Sequence, residues 1–187
     1  MDESLGIVPR TDGHVAPSFT RAQRARRVLW NVVYALLFRP SPRPCHAWRA
    51  FLLKSFGARV GRAIHIYPKV RIWAPWNLVL EDDCSAGDDA ELYSIEVITL
   101  RKRAIVSQGA FLCTGTHDFN DPNFQLLARP IEVGERAWIG ARAFVNPGVT
   151  LGEGSVVGAM SMVTKSTDPW AIYGGNPARK IGNRTKS

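Results

Sequence analysis

The sequence predicts an all-β fold, a parallel β-helix of about five triangular coils with an N-terminal α-helical appendage and an inserted loop. An apolar residue at every sixth position carries this. Stepping by six gives Val60, Ile66 and Ile72, then Leu80, Ala86 and Leu92, then Leu100, Val106 and Leu112, then Val133, Ile139 and Val145, then Leu151, Val157 and Val163. All fifteen are apolar, which at 45% apolar composition has a chance of roughly one in a hundred thousand before allowing for shifts of phase. A period of six fits neither an α-helix nor a free alternating strand. It fits a short strand and a turn, three times per coil, with coils stacked about 4.8 Å apart.

The second observation is where the extra residues fall. The blocks 60–77, 80–97, 100–117, 133–150 and 151–168 each hold 18 residues, and additions occur only between blocks, at 78–79, 98–99 and 118–132. All three therefore leave from one corner. Small residues recur at the fifth hexad position (Ala90, Ala104, Ala110, Ala137, Ala143, Ser155, Ser161), where a corner must be filled, while Trp76 and Glu96 break that pattern. Gly134, Gly140, Gly152 and Gly158 follow inward residues and are read as turn positions needing a permissive backbone.

A chain of 187 residues supports one core and an appendage, divided as 1–57 and 58–187, the latter containing the loop 118–132 and a tail 169–187. Composition of 45% apolar and 21% charged residues excludes a disordered or collagen-like chain. Cys45, Cys84 and Cys113 form no CxxC pair and are odd in number, so neither a zinc knuckle nor a disulfide framework is expected; a reducing cytoplasm is. The start lacks the pattern of a secretory signal. The net charge of +8 is uneven: residues 1–57 carry nine Lys and Arg against three acids, and residues 58–187 fifteen against thirteen. No basic stripe with interleaved aromatics runs through the larger part, so nucleic acid is not an expected partner.

In the appendage, Thr20 and Gln23 stand at capping-box spacing and Pro40 stops the run, predicting a helix over about 21–38. Its first turns are basic (Arg21, Arg24, Arg26, Arg27) and the rest is almost wholly apolar. Eleven such residues cannot span a bilayer, which needs about 20. The helix either packs on its own domain or a sister subunit, or lies on a membrane surface, giving peripheral contact through residues 20–56 at the inner face. A second helix is predicted over Cys45–Phe56, with Gly57 as its C-cap and Trp48, Phe51, Leu52 and Phe56 on its buried face.

The hexads, the run Leu112-Cys-Thr-Gly-Thr-His117-Asp118, the segment Trp138–Val149 and the tail Gly174-Gly-Asn-Pro-Ala-Arg179 resemble the hexapeptide-repeat acyltransferases. Within them the chain is similar to sugar O-acetyltransferases, among them the galactoside, maltose and nodulation enzymes. The stretch Trp30–Ala58 is similar to the N-terminal part of colanic acid biosynthesis acetyltransferases. The resemblance implies a left-handed helix, against the general right-handed preference of crossovers. It also implies a homotrimer, acetyl-CoA as co-substrate without a metal, and transfer of acetyl to a hydroxyl of a sugar or exopolysaccharide precursor.

That transfer needs a base, because a sugar hydroxyl is a weak nucleophile until it loses its proton. His117 ends its coil where the long loop departs, and imidazole exchanges protons near neutral pH. It is either this base or a turn histidine capping the coil; the resemblance favours the base. Its orienting partner is open between Asp118 and a backbone carbonyl. By resemblance, pantetheine lies against turn backbone at Ala141 and Ala159, and Trp138 walls the acyl end. Thr164, Lys165, Arg179, Lys180 and Arg184 meet the nucleotide phosphates. Tyr93, Ser94 and Asp118 are expected beside the acceptor, with Ser94 standing where relatives carry asparagine. Two rivals remain. A γ-class carbonic anhydrase would need three histidines at one zinc, and only His65 and His117 lie in the prism. A non-catalytic β-helical scaffold or membrane-surface binding module would show no turnover.

Overall fold

The computed structural model describes residues 19–186, so the first eighteen residues of the predicted appendage and Ser187 lie outside the described part. Three parallel sheets form the faces of a prism. The first joins Arg59–Val60, Leu78–Leu80, Ile98–Leu100, Ile131–Val133 and Thr150–Leu151, with a further bridge from Leu151 to Thr167. The second joins His65–Ile66, Ser85–Ala86, Ile105–Val106, Trp138–Ile139, Val156–Val157 and Ala171–Gly174. Arg71–Ile72, Glu91–Tyr93, Phe111–Cys113, Phe144–Val145 and Met162–Val163 make the third. The predicted five coils thus become about six. The segment expected to be a tail opens the last turn at Ala171–Gly174, and Arg179–Asn183 then returns antiparallel along it. That return strand covers the sheet's final edge.

Registers such as Val60↔Leu80, Ile66↔Ala86 and Val145↔Leu112 stack the predicted inward residues directly. Fourteen of the fifteen are at most 6% exposed; Val60, in the first coil, is half-buried. Burying a column of aliphatic side chains at about 25 cal/mol per Å² is the main stabilisation of such a prism.

Two sequence readings change here. The corner misfits have a cause in the extra residues. Residues 78–79 and 98–99 extend the first-face strands backward, so the third corner falls two residues earlier, and Ala74, Ser94 and Thr114 fill it in place of Trp76, Glu96 and Thr116. Gly134 and Gly140 are not there for backbone freedom. A Cβ at Gly134 would lie 2.5 Å from the Leu151 carbonyl oxygen, and one at Gly140 would lie 2.6 Å from the Ala159 nitrogen, so the close approach of the next coil excludes a side chain. The left-handed backbone falls instead on the fourth hexad position, at Ala63, Asp83, Arg103, Arg136, Arg142 and Met160 as well as Gly109, Gly148 and Gly154.

The appendage forms helix α1 (Arg21–Val33), a π-helical turn Tyr34–Phe38 and helix α2 (His46–Ser55). Thr20 and Gln23 make the predicted reciprocal capping box. Trp30 is fully buried, and its indole donates to the Ile72 carbonyl at 2.8 Å. Phe38 and Phe56 meet its ring edge-on at 5.8 and 5.1 Å. Together with Leu52 and Leu53 these residues share one apolar core with the first coils. The buried face of α2 is Arg49, Leu52 and Leu53, with Phe56 partly buried beyond its end. Trp48 and Phe51, predicted inward, stack on each other at 5.7 Å on the outside. Arg49 takes the inward place because its guanidinium finds acceptors there: Nε donates to the Ile66 carbonyl at 2.6 Å, Nη1 to Ser41 Oγ and the Pro42 carbonyl at 2.8 Å, and Nη2 to the Arg43 carbonyl at 2.6 Å.

Candidate active site

The chain leaves the prism earlier than the hexads predict. Gly115–His117 pairs antiparallel with Leu126–Ala128, so an arm projects from the corner between the third and first faces with His117 opposite Leu126. At its tip Phe124 adopts φ +47°, an uncommon conformation for a residue with a side chain. That turn aims the Phe124 carbonyl at His117 Nδ1, 2.9 Å away, and lays its ring parallel to the imidazole with centroids 4.4 Å apart. A carbonyl only accepts, so Nδ1 carries the proton and Nε2 presents its lone pair. The His117 side chain is exposed, and Nε2 has no hydrogen-bond partner among the described residues. The imidazole is thus held by a backbone carbonyl. Asp118 does something else: its carboxylate accepts from the Asn120 N–H at 3.0 Å, and its own N–H donates to the Gln125 carbonyl at 2.9 Å, which shapes the arm.

Of the residues expected beside the acceptor, Tyr93 is half-exposed on the third face, its ring 4.7 Å from Trp73 and 6.1 Å from Phe111. Burial raises its phenol above the ordinary value, so it stays protonated at neutral pH and can donate. Ser94 is fully buried. Its hydroxyl accepts from the Ala74 N–H and donates to the Ala74 carbonyl, each at 3.0 Å, so it is used within the corner. Sequence reasoning missed Arg27 and Trp73. The Arg27 guanidinium lies 3.0 Å over the Trp73 ring, bringing α1 to the edge of the Tyr93 column. No local pattern announces a contact across 46 residues.

Ala141 and Ala159 occupy equivalent places on adjacent coils, at the corner between the second and third faces, joined by the Met160 N–H to the Ala141 carbonyl at 2.9 Å. Trp138 is exposed on the second face, and its indole donates to Ser107 Oγ at 2.8 Å. Thr164 and Lys165 are exposed in the turn after Met162–Val163. Arg179 is exposed, and among the described residues its guanidinium donates to the neighbouring Ala178 carbonyl. Lys180 pairs with Asp168 at 3.2 Å. Arg184 Nη1 donates to the Arg136 and Gly154 carbonyls at 3.0 and 3.2 Å, which ties the end of the chain to the prism. Lys165 and Arg179 are therefore the cations most available to an anionic ligand. Among the described residues no three His, Cys, Asp or Glu side chains gather as metal ligands, although the His46 and His65 rings lie 5.0 Å apart.

Comparison with known proteins agrees with this architecture. The bacterial transferase hexapeptide (six repeats) family matches residues 130–165. A protein of Escherichia coli K12 named "Putative colanic acid biosynthesis acetyltransferase WcaF" is 43% identical over 176 residues, covering 94% of this chain and 97% of its own. A maltose O-acetyltransferase from Clostridium difficile 630 superposes with a TM-score of 0.80 at 21% identity, covering 89% of this chain and 90% of that one. A hexapeptide-repeat acetyltransferase of Vibrio cholerae O1 biovar eltor, solved with acetyl coenzyme A, superposes at 0.81 with 21% identity over the whole of both chains. The coiled prism of hexads and the likeness to WcaF along almost the whole of both chains define the class: the chain belongs to the hexapeptide-repeat acetyltransferases, in the family of WcaF. It is an acetyltransferase.

Proposed function

We propose that this acetyltransferase moves the acetyl group of acetyl coenzyme A to a hydroxyl of a sugar or glycan precursor in the cytoplasm, with His117 as general base. The observation that carries this is the Nδ1 contact to the Phe124 carbonyl, which holds one tautomer and leaves Nε2 free. In the reaction Nε2 takes the hydroxyl proton as the sugar oxygen attacks the thioester carbonyl. The new C–O bond forms, the C–S bond breaks, and the imidazolium returns the proton to the departing thiolate.

The donor-binding assignment draws on the surface chemistry. Alanines at 141 and 159 leave the turn backbone accessible to an extended chain, and the free ammonium of Lys165 and guanidinium of Arg179 suit phosphates. Ala141 and Ala159 sit on a different edge of the prism from His117. A single chain so arranged supports a homotrimer in which one copy's imidazole meets another's donor edge. The sugar acceptor is supported by the family relationship to WcaF and by the aromatic column Trp73, Tyr93 and Phe111, since apolar faces of sugars stack on such rings.

The test is turnover with radiolabelled acetyl coenzyme A against a panel of nucleotide sugars and oligosaccharides. His117→Ala is expected to lower kcat on the order of 10²- to 10⁴-fold, with acetyl coenzyme A binding and oligomer size unchanged. Retained turnover would remove His117 from the mechanism, and absence of turnover in the parent chain with every acceptor would favour a scaffold.

A further inference from the structure

We propose that the outer face of the helical appendage docks on an anionic lipid bilayer, with α1 lying in the plane of the surface. Only one side of the rod formed by α1 and the π-helical turn faces the prism. Trp30 and Phe38 are buried, Val33 and Tyr34 partly so, and Arg26 and Arg27 are held over Trp76 and Trp73. The opposite side carries Val28, Leu29, Val32 and Leu36, which recur at helical spacing, and Leu37, Trp48 and Phe51 continue the same apolar surface. All seven are between 41% and 68% exposed. Trp48 is fixed to the end of the rod by its indole, which donates to the Leu37 carbonyl at 3.0 Å.

The charges around this face decide the occupant. Residues 19–57 contain eight Arg and Lys and no Asp or Glu. Arg21 and Arg24 begin the exposed strip and Arg39 follows its end, with Lys54 exposed on α2; none has a carboxylate in ion-pair reach among the described residues. At 1.5 Å per residue α1 carries the chain about 18 Å from Arg21 to Val33, and Arg39 follows the π-helical turn, with the apolar residues between the two arginines. An apolar strip bordered by unpaired cations, with indole and phenyl rings beside it, is the pattern of an interfacial helix. An isologous contact with a second copy would instead set these arginines against themselves. No helix among the described residues is long and apolar enough to cross a membrane, so the contact is peripheral.

The inference does not depend on the acetyl-transfer reading and is tested without turnover. The full chain should co-sediment with vesicles of equal parts phosphatidylglycerol and phosphatidylcholine. Binding to pure phosphatidylcholine should be at least about tenfold weaker, and binding to the mixed vesicles should fall as salt is added. Arg21→Gln combined with Arg24→Gln, both exposed and without an ion pair among the described residues, should weaken binding roughly thirtyfold, at about 1 kcal/mol per cation. Leu29→Asp combined with Leu36→Asp should abolish it with circular dichroism unchanged. Failure to bind anionic vesicles, equal binding to neutral ones, or undiminished binding by the arginine variant would overturn the proposal. A smaller oligomer for the leucine variant would assign the face to a second copy and overturn it too.

Discussion

Replacing Phe124 with glycine separates the two services that this residue gives His117. The carbonyl at 2.9 Å belongs to the backbone and survives the change, while the ring stacked at 4.4 Å is lost. The backbone is not strained by the exchange, because glycine accepts φ +47° more readily than phenylalanine does. What disappears is the lateral restraint on the imidazole. A stacked ring pair contributes about 0.5 to 1.5 kcal/mol, and if all of it orients His117 as the proposed base, kcat falls about two- to twelvefold. The measurement is kcat and KM for acetyl coenzyme A and acceptor across pH, beside His117→Ala. Phe124→Gly should lower kcat within that range, leave KM for the donor unchanged and keep the shape of the pH profile, and Phe124→Tyr should restore the rate. A loss as deep as that of His117→Ala would mean that the ring holds the whole arm in place. No loss at all would mean that the carbonyl alone holds the imidazole, and either result refutes a division of work between carbonyl and ring.

Two further outcomes concern the scaffold. Arg49→Met should destabilise the appendage by about 3 to 5 kcal/mol, since it removes the donors to the Ile66, Pro42 and Arg43 carbonyls at a fully buried site; amide exchange in α2 rising well ahead of exchange in the prism would show it, and uniform protection would refute it. Burial pushes the Cys84 thiol from its ordinary 9.0 up to about 12, so the folded state favours the protonated form. Its contribution to stability is complete below pH 9 and is lost as pH rises toward 12. Urea midpoints of the parent chain should therefore fall more steeply than those of Cys84→Ala over that window, and parallel curves would contradict the assignment.

The prism was legible because a stacked coil forces one inward side chain per strand, and that demand repeats at a fixed spacing whatever the outward residues are. The turns were less legible. Their left-handed residues include Arg103 and Met160, which no propensity selects, beside Asp83, of a type enriched in that conformation. Backbone bonds to the neighbouring coils hold them: the Asp83 N–H donates to the Arg62 carbonyl, the Arg103 N–H to the Asp82 carbonyl and the Met160 N–H to the Ala141 carbonyl. Gly134, Gly140 and Gly152, read as turn formers, mark instead where two coils approach too closely for a Cβ, a tertiary fact with no local signature. At the candidate site the imidazole was singled out by residue type, by its place where the loop departs and by the family resemblance. Its partner did not, because Phe124 acts through a carbonyl every residue owns and is brought back by the antiparallel arm.

The helical appendage shows why an apolar run cannot say by itself what covers it. From Val28 to Phe38 the only polar interruptions are Asn31 and the Tyr34 hydroxyl, so a sequence reading has no face to choose. The aromatic residues make the choice. Trp30 reaches the Ile72 carbonyl and gathers Phe38 and Phe56 around it, which turns that side toward the first coil. Once that side is committed, the aliphatic residues on the other three-quarter turns are left outward whatever their hydrophobicity. Two of the four arginines in the first turns go to indole rings, and the other two, Arg21 and Arg24, remain on the outward side. Packing on its own domain and presenting an apolar, basic surface are therefore not alternatives for this helix, because the contacts that produce the first also expose the second.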